Sequence, residues 1–508
     1  MRPRRLRELL AGVVLVDAHG DLDVVVNDVT ADSRAVLGGA LFVATRGTSW
    51  DGHAFIAGAI AAGARAIVAC EPPAAGRDVA GVTWVHVADG WAALASVAAA
   101  WYGHAGRDVC VLATTGTNGK TTTTFLLKDI LEHARAKVSR GEGPSERGAG
   151  VRGGVGLIST VEVRIGATRL PTIFTTPPAL DFQRMLAEMR DAGCSHAVVE
   201  ASSHGLHQRR IAAFRVAVAG FSNLTRDHLD YHGTMDAYAE AKAMLFRELA
   251  ERAAFNVDDA AGARLAAEFA GPKWTVSTAG RRADVRVRTA EYRLEGTTAA
   301  IEISDGTHIT LSTGLIGPHN LQNAVLAMAM ANLSGVSWAD AAAGLAGSQG
   351  APGRLQRVGV RTDRASVFVD YAHTPDALEN VLGALRPLVP GRLVCVFGAG
   401  GDRDKGKRPQ MAAVAARLAD RVVVTSDTPR TEDAEQILDD IVAGFPAGFA
   451  FARMAERRAA IHEAIAGAGV GDAVLIAGKG HEDYQVIGAT KHPFDDVAVA
   501  QAALEGRA

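Results

Sequence analysis

The 508-residue sequence predicts an α/β protein of three domains built around parallel sheets. Three observations predict this class. They are the chain length, the alternation of β-like apolar runs with Ala-rich helical runs, and a Gly-rich loop between a strand-like and a helix-like run. Apolar residues make up 48% of the chain, so large cores can be buried. Boundaries near Gly103 and Gly350 give domains 1–103, 104–349 and 350–508.

The charge balance and the cysteines restrict the class of protein. There are 53 basic and 56 acidic residues, giving a net charge of −3, so no basic field favours nucleic acid. The cysteines form no CxxC pair and no metal-ligand spacing, which indicates reduced thiols. No apolar run reaches the ~20 residues that span a bilayer. We therefore expect a cytoplasmic monomer that neither binds nucleic acid nor inserts into a membrane.

The first ~100 residues alternate β-like and helical runs. The opening "MRPRRLRELLAGVVLV" imitates a signal peptide, but no A-x-A cleavage site follows it. We expect an amphipathic first helix here instead. Downstream, the β-like runs are "DVVV", "GALFVAT", "ARAIVAC" and "VTWVHVA", and the helix "WAALASVAAAWYG" ends near Gly103.

A phosphate-binding loop opens the second predicted domain in "VCVLATTGTNGKTTTTFLLKDIL". Gly116 and Gly119 allow backbone amides to face a phosphate, and the following helix start adds partial positive charge. Lys120 can reach the outer phosphates, and Thr121 can ligate magnesium. The strict pattern G-x-x-x-x-G-K-[ST] is not met, because Thr114 occupies the first Gly position.

Acidic and His residues follow two further β-like runs of this domain. Glu200 ends the run "HAVVE" and is a candidate magnesium ligand if the sheet is parallel. The stretch "FSNLTRDHLDYHGTMDAYAEAKAMLF" then holds a dense polar cluster: Asp227, His228, Asp230, Tyr231, His232 and Lys242.

The segment from Ser139 to Gly154 is of low complexity. Its Gly, Arg and Glu content cannot bury a core, so we expect a mobile surface loop that is dispensable for folding.

The last domain alternates apolar strands with helices. The strand-like runs are "VFVDYAH", "RLVCVFGAGGD", "RVVVTSDTPR" and "AVLIAGKGHE", and they predict a parallel sheet covered on both faces. Ligands bind beyond the carboxyl ends of such strands. Each strand here is followed at that end by charged or His residues, which predicts a binding site.

Motifs spread over the whole chain are similar to those of the Mur ligase family, in the same order. They are GTNGKTT, EASSHGL, TRDHLDYHG…AK, GPHNLQNAVLA, GRLQRV, VDYAHTPDALE, GAGGDRDKGKRP and GKGHE. DSR at Asp32–Arg34, LFVATRGTSWDGHAFI and TTP at 175–177 resemble the nucleotide-sugar domain and linker of the family. The resemblance implies a small UDP-sugar-binding domain, a P-loop ATPase-like domain and a Rossmann-like amino-acid-binding domain.

The resemblance also implies an activity. ATP gives its terminal phosphoryl group to a carboxylate of UDP-N-acetylmuramoyl-L-alanyl-D-glutamate, and the amine of meso-diaminopimelate attacks the acyl phosphate. The product belongs to peptidoglycan precursor synthesis. Carboxylate and phosphate are both anionic, so catalysis must neutralise their repulsion and align them.

Residue roles follow from matching positions. The resemblance implies that magnesium is held by Thr121, Glu200, His228 and Lys242, with Lys242 carbamylated by carbon dioxide, and that Lys120, Lys242 and His228 are catalytic. ATP is expected at Gly116, Thr117, Asn118, Gly119, Lys120, Thr121, Thr122, Asn320, Arg354 and Asp370. The UDP-sugar dipeptide is expected at Ser33, Thr175, Thr176, Ser202, Gln208 and Arg210. Diaminopimelate is expected at Arg403, Asp427, Thr428, Pro429, Arg430, Gly478 and Glu482.

Two departures from the family pattern stand out. The diaminopimelate signature D-N-P-R reads "DTPR" here, so Thr428 replaces Asn and its amide is lost. The loop Ser139–Gly154 is an apparent insertion.

Other functions stay open beside the main one. They are the same ligase using L-lysine, a folylpolyglutamate synthetase-like ligase, a nucleotide-binding switch or motor ATPase, and an inactive scaffold. The complete set of last-domain motifs and the intact lysines and acids favour the Mur ligase over the last three of these. Arg403 and Arg430, which can bind a second carboxylate, favour diaminopimelate over L-lysine.

Overall fold

A computed structural model describes residues 2–47, 50–73, 81–140, 151–359 and 364–506. The chain divides into two compact units. Residues 1–287, 302–309 and 322–344 form the first, and residues 288–301, 310–321 and 345–508 form the second. Both combine helices with largely parallel sheets, so the predicted α/β class is confirmed.

The amino-terminal part of the first unit is built on a five-stranded sheet. The strands of this part of the chain are β1 (Arg4–Arg5), β2 (Leu15–His19), β3 (Val25–Val26), β4 (Val29–Thr30), β5 (Leu41–Val43), β6 (Ala66–Ala69) and β7 (Thr83–Val87). Its helices are α1 (Leu6–Leu9), α2 (Ile56–Ala61) and α3 (Gly90–Trp101). The sheet order is β2-β7-β6-β5-β4, with β4 to β7 parallel and β2 antiparallel at the edge. Strands β1 and β3 form a separate pair.

The predicted amphipathic first helix is wrong in extent. Helix α1 covers only four residues, of which Leu6 and Leu9 are fully buried. The apolar run that follows leaves Val14 and Val16 largely exposed and becomes strand β2. Pairing of this segment with β7 satisfies its backbone groups and overrides the helical periodicity of the sequence.

The second sheet of the first unit is centred on β8 (Cys110–Thr115). Its other strands are β9 (Gly154–Ile158), β10 (Val163–Ile165), β11 (Thr168–Leu170), β12 (Cys194–Glu200), β13 (Val218–Phe221), β14 (Ala253–Asn256), β15 (Lys273–Ser277) and the start of β16 (Val285–Arg293). The order is β11-β10-β9-β12-β8-β13-β14-β15-β16. Neighbours from β9 to β16 are parallel, so the carboxyl ends of β12, β8 and β13 meet at one edge.

Helices cover this sheet and supply its core. They are α4 (Lys120–Ser139), α5 (Ala179–Asp191), α6 (Ser203–His207), α7 (Leu229–His232), α8 (Met235–Met244) and α9 (Ala260–Glu268). Side chains of α5, including Phe182 and Leu186, pack on β-strand residues such as Val111 and Val199. Removing this apolar surface from water stabilises the sheet, and with it the edge where β12, β8 and β13 end and the polar loops begin.

The predicted loop Ser139–Gly154 is wrong at both ends. Ser139 is the last residue of α4, Val151 is fully buried, and Gly154 begins β9. The prediction relied on the average composition of the segment and so overlooked the apolar residue Val151. Residues 141–150 lie outside the described residues.

Two strands and two helices lie between β16 and the last sheet in the sequence. They are β17 (Gly296–Ile303), β18 (His308–Thr313), α10 (Pro318–Leu333) and α11 (Trp338–Ala346). No helix in the described part of the chain combines the length and apolar character needed to cross a membrane. All four cysteines are unpaired thiols, as the sequence predicts.

The second unit contains a six-stranded sheet. Its strands are β19 (Gln356–Val358), β20 (Ser366–Asp370), β21 (Leu393–Phe397), β22 (Arg421–Thr425), β23 (Phe451–Met454) and β24 (Ala473–Ala477). The order is β19-β20-β24-β21-β22-β23, with only β19 antiparallel among these described pairs.

Helices and a hairpin complete the second unit: α12 (Pro375–Leu385), α13 (Lys407–Leu418), α14 (Ala434–Val442), α15 (Arg457–Ala466), α16 (Asp496–Leu504), β25 (Tyr484–Ile487) and β26 (Thr490–Pro493). The four predicted strands and the helices between them are confirmed. Separate buried clusters cover the two faces of the sheet. Strands β19 and β23 and the β25–β26 hairpin are not predicted, because all are short, β19, β23 and β25 are only partly buried, and β26 is exposed.

Candidate active site

The predicted phosphate loop lies between β8 and α4. Gly116 has a φ of 145°, and a Cβ there would lie 1.9 Å from Ser222 Oγ, so only glycine fits. Ser222 Oγ donates to Asn118 O at 2.6 Å, and Asn118 N donates to Asn223 Oδ1 at 2.9 Å. The end of β13 therefore holds the loop in a defined conformation.

Positive charge is concentrated on this loop. Lys120 Nζ donates to Gly116 O at 3.1 Å and to Thr117 O at 2.8 Å. Among the described residues no side chain caps the first turn of α4, whose dipole adds partial positive charge. Thr121 and Thr122 lie buried in that first turn. The arrangement suits an anionic phosphate.

Glu200 ends β12 beside the loop and is fully buried. Thr121 Oγ1 donates to Glu200 Oε2 at 3.0 Å. Thr160 donates through its backbone N to Oε1 at 2.9 Å and through Oγ1 to Oε2 at 3.0 Å. Hydroxyl and carboxylate oxygens are hard donors that fit magnesium. The described ranges contain no group of three or more His, Cys, Asp or Glu that could hold a metal ion.

Lys242 is buried next to the same loop, with 1% of its surface exposed. Its Nζ donates to Gly116 O at 2.7 Å and lies 4.3 Å from the ring centre of Tyr238. Burial and then the positive charge of Lys120 hold the pKa of Lys242 well below its ordinary value. The amine is therefore biased toward its neutral form.

His228 lies close to this lysine. Its ring contacts that of Tyr238, with centres 6.0 Å apart, and its backbone φ is 52°. Burial lowers the pKa of His228, while Asp227 opposes that effect. A neutral imidazole has a lone pair that can bind a metal ion.

The predicted residues for the sugar dipeptide lie beside Glu200. Thr176 Oγ1 donates to Glu200 O at 2.7 Å and accepts from Ser202 N at 3.0 Å. Thr160 Oγ1 also lies 3.0 Å from Thr175 Oγ1, within hydrogen-bond distance. Polar groups at residues 175, 176 and 202 therefore adjoin the carboxylate that faces the phosphate loop.

Arg210 and Gln208 continue this group. Arg210 donates through Nε and NH2 to Gln208 Oε1, at 3.1 and 2.7 Å, and through NH1 to Thr176 O at 2.6 Å. Its guanidinium also lies 5.7 Å from the ring centre of Phe174. Burial lowers the pKa of Arg210. Five of the six predicted dipeptide residues are thus brought together.

Ser33, the sixth, lies in the amino-terminal part of the unit. It begins a short 3₁₀ turn whose start is capped by Asp32. Arg34 forms a two-point ion pair with Asp32 at 2.9 and 2.8 Å, which lowers the pKa of Asp32 to about 2. No described contact joins Ser33 to the other five.

In the second unit, Asp427 and Gly478 follow β22 and β24. Gly478 has a φ of 117°, and a Cβ there would lie 2.6 Å from Asp427 Oδ2, so glycine leaves room for that carboxylate. Glu482 is half-buried, with Lys479 Nζ 3.9 Å from its Oε2. Burial raises the pKa of Glu482, and Lys479 opposes the rise.

Arg430 is held in a strained backbone conformation with a φ of 53°. Its N donates to Val486 O at 2.9 Å, and Gly488 N donates to its O at 2.7 Å. The unpredicted hairpin therefore fixes this residue. Its side chain donates to Gly401 O at 3.4 Å, and Arg403 lies exposed two residues further on.

Thr428, which replaces the Asn of the family pattern, is 7% exposed. Its Oγ1 is buried and has no hydrogen-bond partner within the described ranges. Its backbone O accepts from Gly401 N at 2.9 Å, and Pro429 beside it is buried. A buried hydroxyl of this kind is costly unless a ligand or water satisfies it.

The remaining predicted ATP residues also belong to the second unit. Asn320 is buried and donates through Nδ2 to Ile316 O at 2.9 Å. Arg354 lies over the ring of Tyr371 at 4.7 Å, and its Nε has no partner in the described structure. Asp370 accepts from Leu355 N and Ala372 N, and burial raises its pKa while Arg354 opposes the rise.

Three protein-family models match the chain in succession. They are the Mur ligase family catalytic domain at residues 25–102, the Mur ligase middle domain at 114–331, and the Mur ligase glutamate ligase domain at 353–480.

Curated relatives match along the whole chain. One from Gloeobacter violaceus is 43% identical over 100% of this chain and 99% of its own length, and one from Synechococcus elongatus is 43% identical over 99% of both. Both are named UDP-N-acetylmuramoyl-L-alanyl-D-glutamate–2,6-diaminopimelate ligase. The chain belongs to the Mur ligase family.

Solved structures agree with this family. A structure titled UDP-N-acetylmuramoyl-L-alanyl-D-glutamate–2,6-diaminopimelate ligase is 32% identical, covers 99% of both chains and has a TM-score of 0.70. A MurF structure from Acinetobacter baumannii, at 21% identity and a TM-score of 0.58, shares the fold. As a Mur ligase the chain has the three-domain α/β architecture and is an ATP-dependent, ADP-forming ligase, which confirms the predicted family and enzyme class.

Several residues of this Mur ligase site are absent from the sequence-based prediction. Thr160 binds Glu200 through two donors, and Asn223 holds the phosphate loop. Gln485 donates to Asp427 O at 2.6 Å. The buried Lys479 lies within the quoted GKGHE motif, so the motif was a usable signal. Asn223 lies in the quoted stretch that begins FSNLTRDH, so that stretch was a usable signal too. Thr160 and Gln485 carry no local signal, because strand pairing and the hairpin bring them in.

Proposed function

We propose that this chain joins meso-diaminopimelate to UDP-N-acetylmuramoyl-L-alanyl-D-glutamate, with ATP converted to ADP and phosphate. The names of relatives 43% identical over the full chain support this substrate pair. The product serves peptidoglycan precursor synthesis.

One observation carries the proposal. The candidate ATP and acceptor sites meet at a single strand end, because Thr121 binds the Glu200 carboxylate while Thr176 binds the Glu200 carbonyl. Transfer of a phosphoryl group requires its donor and acceptor to be held in contact and in line. A switch or motor ATPase has no need of an adjoining carboxylate site.

The chemistry begins with two anions. A glutamyl carboxylate oxygen of the dipeptide attacks the terminal phosphorus of ATP, a new P–O bond forms, and ADP leaves. We assign Lys120 and the α4 amides to the phosphates, and Arg210 to the dipeptide. Magnesium, when bound to Thr121 and Glu200, supplies further positive charge. The diaminopimelate amine then attacks the acyl carbon, phosphate leaves, and the nitrogen loses a proton.

We further propose that Lys242 acts as a carbamate. Its neutral Nζ attacks the carbon of carbon dioxide, an N–C bond forms, and a proton leaves the nitrogen. The buried position and the lowered pKa of Lys242 support this step. The resulting anion would face Lys120 and give, with His228, ligands suited to a second magnesium ion.

The amino acid is assigned to the second unit. Asp427 and Glu482 are carboxylates for its ammonium groups, and Arg403 and Arg430 are forks for its carboxylates. We assign Thr428, Pro429 and Gly478 to the same site. The unpartnered hydroxyl of Thr428 supports a polar ligand there.

The remaining assignments complete the proposal. Asn320, Arg354 and Asp370 contribute to ATP binding, with Gly116 to Thr122, and Ser33, Thr175, Thr176, Ser202 and Gln208 bind the nucleotide-sugar dipeptide. Domain bounds of 1–103, 104–349 and 350–508 are compatible with the family matches at 25–102, 114–331 and 353–480. We propose a monomer that acts in the cytoplasm, supported by its unpaired thiols.

Phosphate release with purified protein tests the function. We expect release only when ATP, UDP-N-acetylmuramoyl-L-alanyl-D-glutamate and diaminopimelate are all present, with one amide formed per phosphate. Omission of each substrate in turn is the control. Sustained release from ATP alone would refute the ligase assignment and favour a switch.

A further inference from the structure

A chain of hydrogen bonds extends behind the Arg210 guanidinium to Tyr231. Gln208 Oε1 accepts from Arg210 at 3.1 and 2.7 Å, and Gln208 Nε2 donates to Tyr231 OH at 3.0 Å. Tyr231 OH also lies 2.9 Å from His207 Nδ1. None of the roles assigned so far uses Tyr231.

These hydrogen bonds fix the orientation of the Gln208 amide. Arg210 is donor-only, so the amide must present its oxygen to the guanidinium and its NH₂ to the other side. The Tyr231 oxygen accepts from that NH₂. A flipped amide would place N–H groups against N–H groups and expel Arg210 from its position.

Tyr231 is itself held on several sides. The ring of His204 lies 4.0 Å from its ring centre, and the ring of His232 lies at 4.7 Å. Since Tyr231 OH accepts from Gln208, it donates its own hydrogen to His207 Nδ1. Helix α7, which carries Tyr231, thus contacts α6, which carries His204 and His207.

Two N–H groups of the Arg210 guanidinium remain available for a ligand. It has five N–H groups, and three donate to described acceptors, namely two to Gln208 and one to Thr176 O. The two that are left lie on NH1 and NH2, the two terminal nitrogens of the guanidinium. Such a pair matches the two oxygens of a carboxylate. The glutamyl residue of the dipeptide has two carboxylates, of which only one is phosphorylated.

We propose that Tyr231 is a positioning residue, which acts through Gln208 to aim the Arg210 fork at the dipeptide carboxylate that is not phosphorylated. This inference rests on the proposed function. It predicts that the Tyr231 hydroxyl contributes to dipeptide affinity and to little else.

Tyr231→Phe removes the hydroxyl and keeps the ring. We expect KM for UDP-N-acetylmuramoyl-L-alanyl-D-glutamate to rise about three- to tenfold, the effect of one lost hydrogen bond. The kcat and the KM values for ATP and diaminopimelate should stay within about twofold. Tyr102→Phe, which removes a half-buried hydroxyl elsewhere in the same unit, is the matched control and should leave all four constants unchanged.

Two further measurements separate positioning from general loosening. In a Gln208→Ala background, Tyr231→Phe should raise KM less than twofold further, because residues acting through one another are not additive. With a dipeptide amidated at the carboxylate that is not phosphorylated, wild type and Tyr231→Phe should bind equally.

The outcomes are distinct. An equal loss for all three substrates, an undiminished effect in Gln208→Ala, or a persisting difference with the amidated dipeptide would overturn the role of Tyr231. An active wild type with a Tyr231→Phe variant identical to Tyr102→Phe would overturn it too, and would leave the proposed function intact. A wild type that ligates nothing to the dipeptide would overturn both.

Discussion

At the residue scale, the candidate active site depends on two lysines that share one acceptor. Lys120 and Lys242 both donate to Gly116 O, although two ammonium groups at one carbonyl repel each other. Lys242 is the more buried of the two, and its pKa is lowered. The residues are therefore suited to different roles: Lys120 is placed on the phosphate loop, and Lys242 is biased to a neutral amine.

Lys120→Ala should abolish ligation without unfolding the protein. Its Nζ donates to the loop carbonyls of Gly116 and Thr117, at the junction between β8 and α4 rather than inside an apolar core. Loss of a charge clamp on phosphate costs several kcal/mol in the transition state, so kcat should fall about a thousandfold or more. Steady-state phosphate release and the melting temperature measure the two effects.

Lys137→Ala is the control, since it removes a lysine of the same helix that pairs with Asp340. It should retain near-normal turnover. Near-normal turnover in Lys120→Ala as well would contradict the phosphate role.

Lys242→Ala should be nearly inactive and should recover part of its activity with short carboxylic acids. A small acid can occupy the cavity and replace the carbamate anion. The check is activity against acetate or formate concentration, with Lys128→Ala, another buried lysine of the unit, showing no such rescue. A bare Lys242 amine in the intact mass of a fully active, carbon dioxide-equilibrated sample would argue against the carbamate.

At the element scale, a buried ion pair links two helices to the ends of two strands in the second unit. Arg457 at the start of α15 pairs with Asp496 at the start of α16, at 2.6 and 2.7 Å, and both side chains are fully buried. Arg457 also donates to Ser426 O and Ala477 O, at the ends of β22 and β24. The pair therefore holds two helices against the strands that carry Asp427 and Gly478.

Asp496→Ala should lower the free energy of unfolding by about 3–5 kcal/mol, because it leaves a buried guanidinium without its partner. The measurement is the midpoint of urea unfolding. Arg453→Ala, which removes a partly exposed arginine paired with Glu435 and Asp439, should cost about 1 kcal/mol or less. Equal costs for the two variants would show that burial does not set the energy of the pair.

At the scale of the whole molecule, the two units divide the chemistry. The first holds the phosphate loop, Glu200, Lys242 and the residues proposed for the dipeptide. The second holds the residues proposed for the amino acid and three of those proposed for ATP. Both present their polar groups at the carboxyl ends of parallel strands, where backbone loops leave room for ligands.

The amino acid should be meso-diaminopimelate rather than L-lysine. Diaminopimelate carries a second carboxylate, which a guanidinium fork binds through two hydrogen bonds, whereas lysine would leave Arg430 unpaired beside an ammonium. We expect a preference in kcat/KM of about a thousandfold. Arg430→Ala should lose most of it, while Arg453→Ala, on β23 of the same unit, should keep it. A wild type that prefers lysine would refute the assignment.

The sequence by itself determined the α/β class, the strands of the last domain, the phosphate loop and the family. These features depend on short stretches of sequence, namely apolar runs, glycine positions and motifs in a fixed order. Glu200 and Lys242 are predicted as site residues in the same way, because each lies in a motif, and Arg210 follows the EASSHGL motif by four residues.

Only the tertiary structure decided the rest. It shortened the first helix to Leu6–Leu9, buried Val151, and brought Thr160 and Gln485 to the sites. It also gave Asn223 and Tyr231, which lie in a quoted stretch, their hydrogen-bond partners. These residues act through hydrogen bonds that reach across strands or between helices. The physical reason is that such contacts depend on which strands are neighbours and on which side chains are buried together, and neither is a property of a local stretch of sequence.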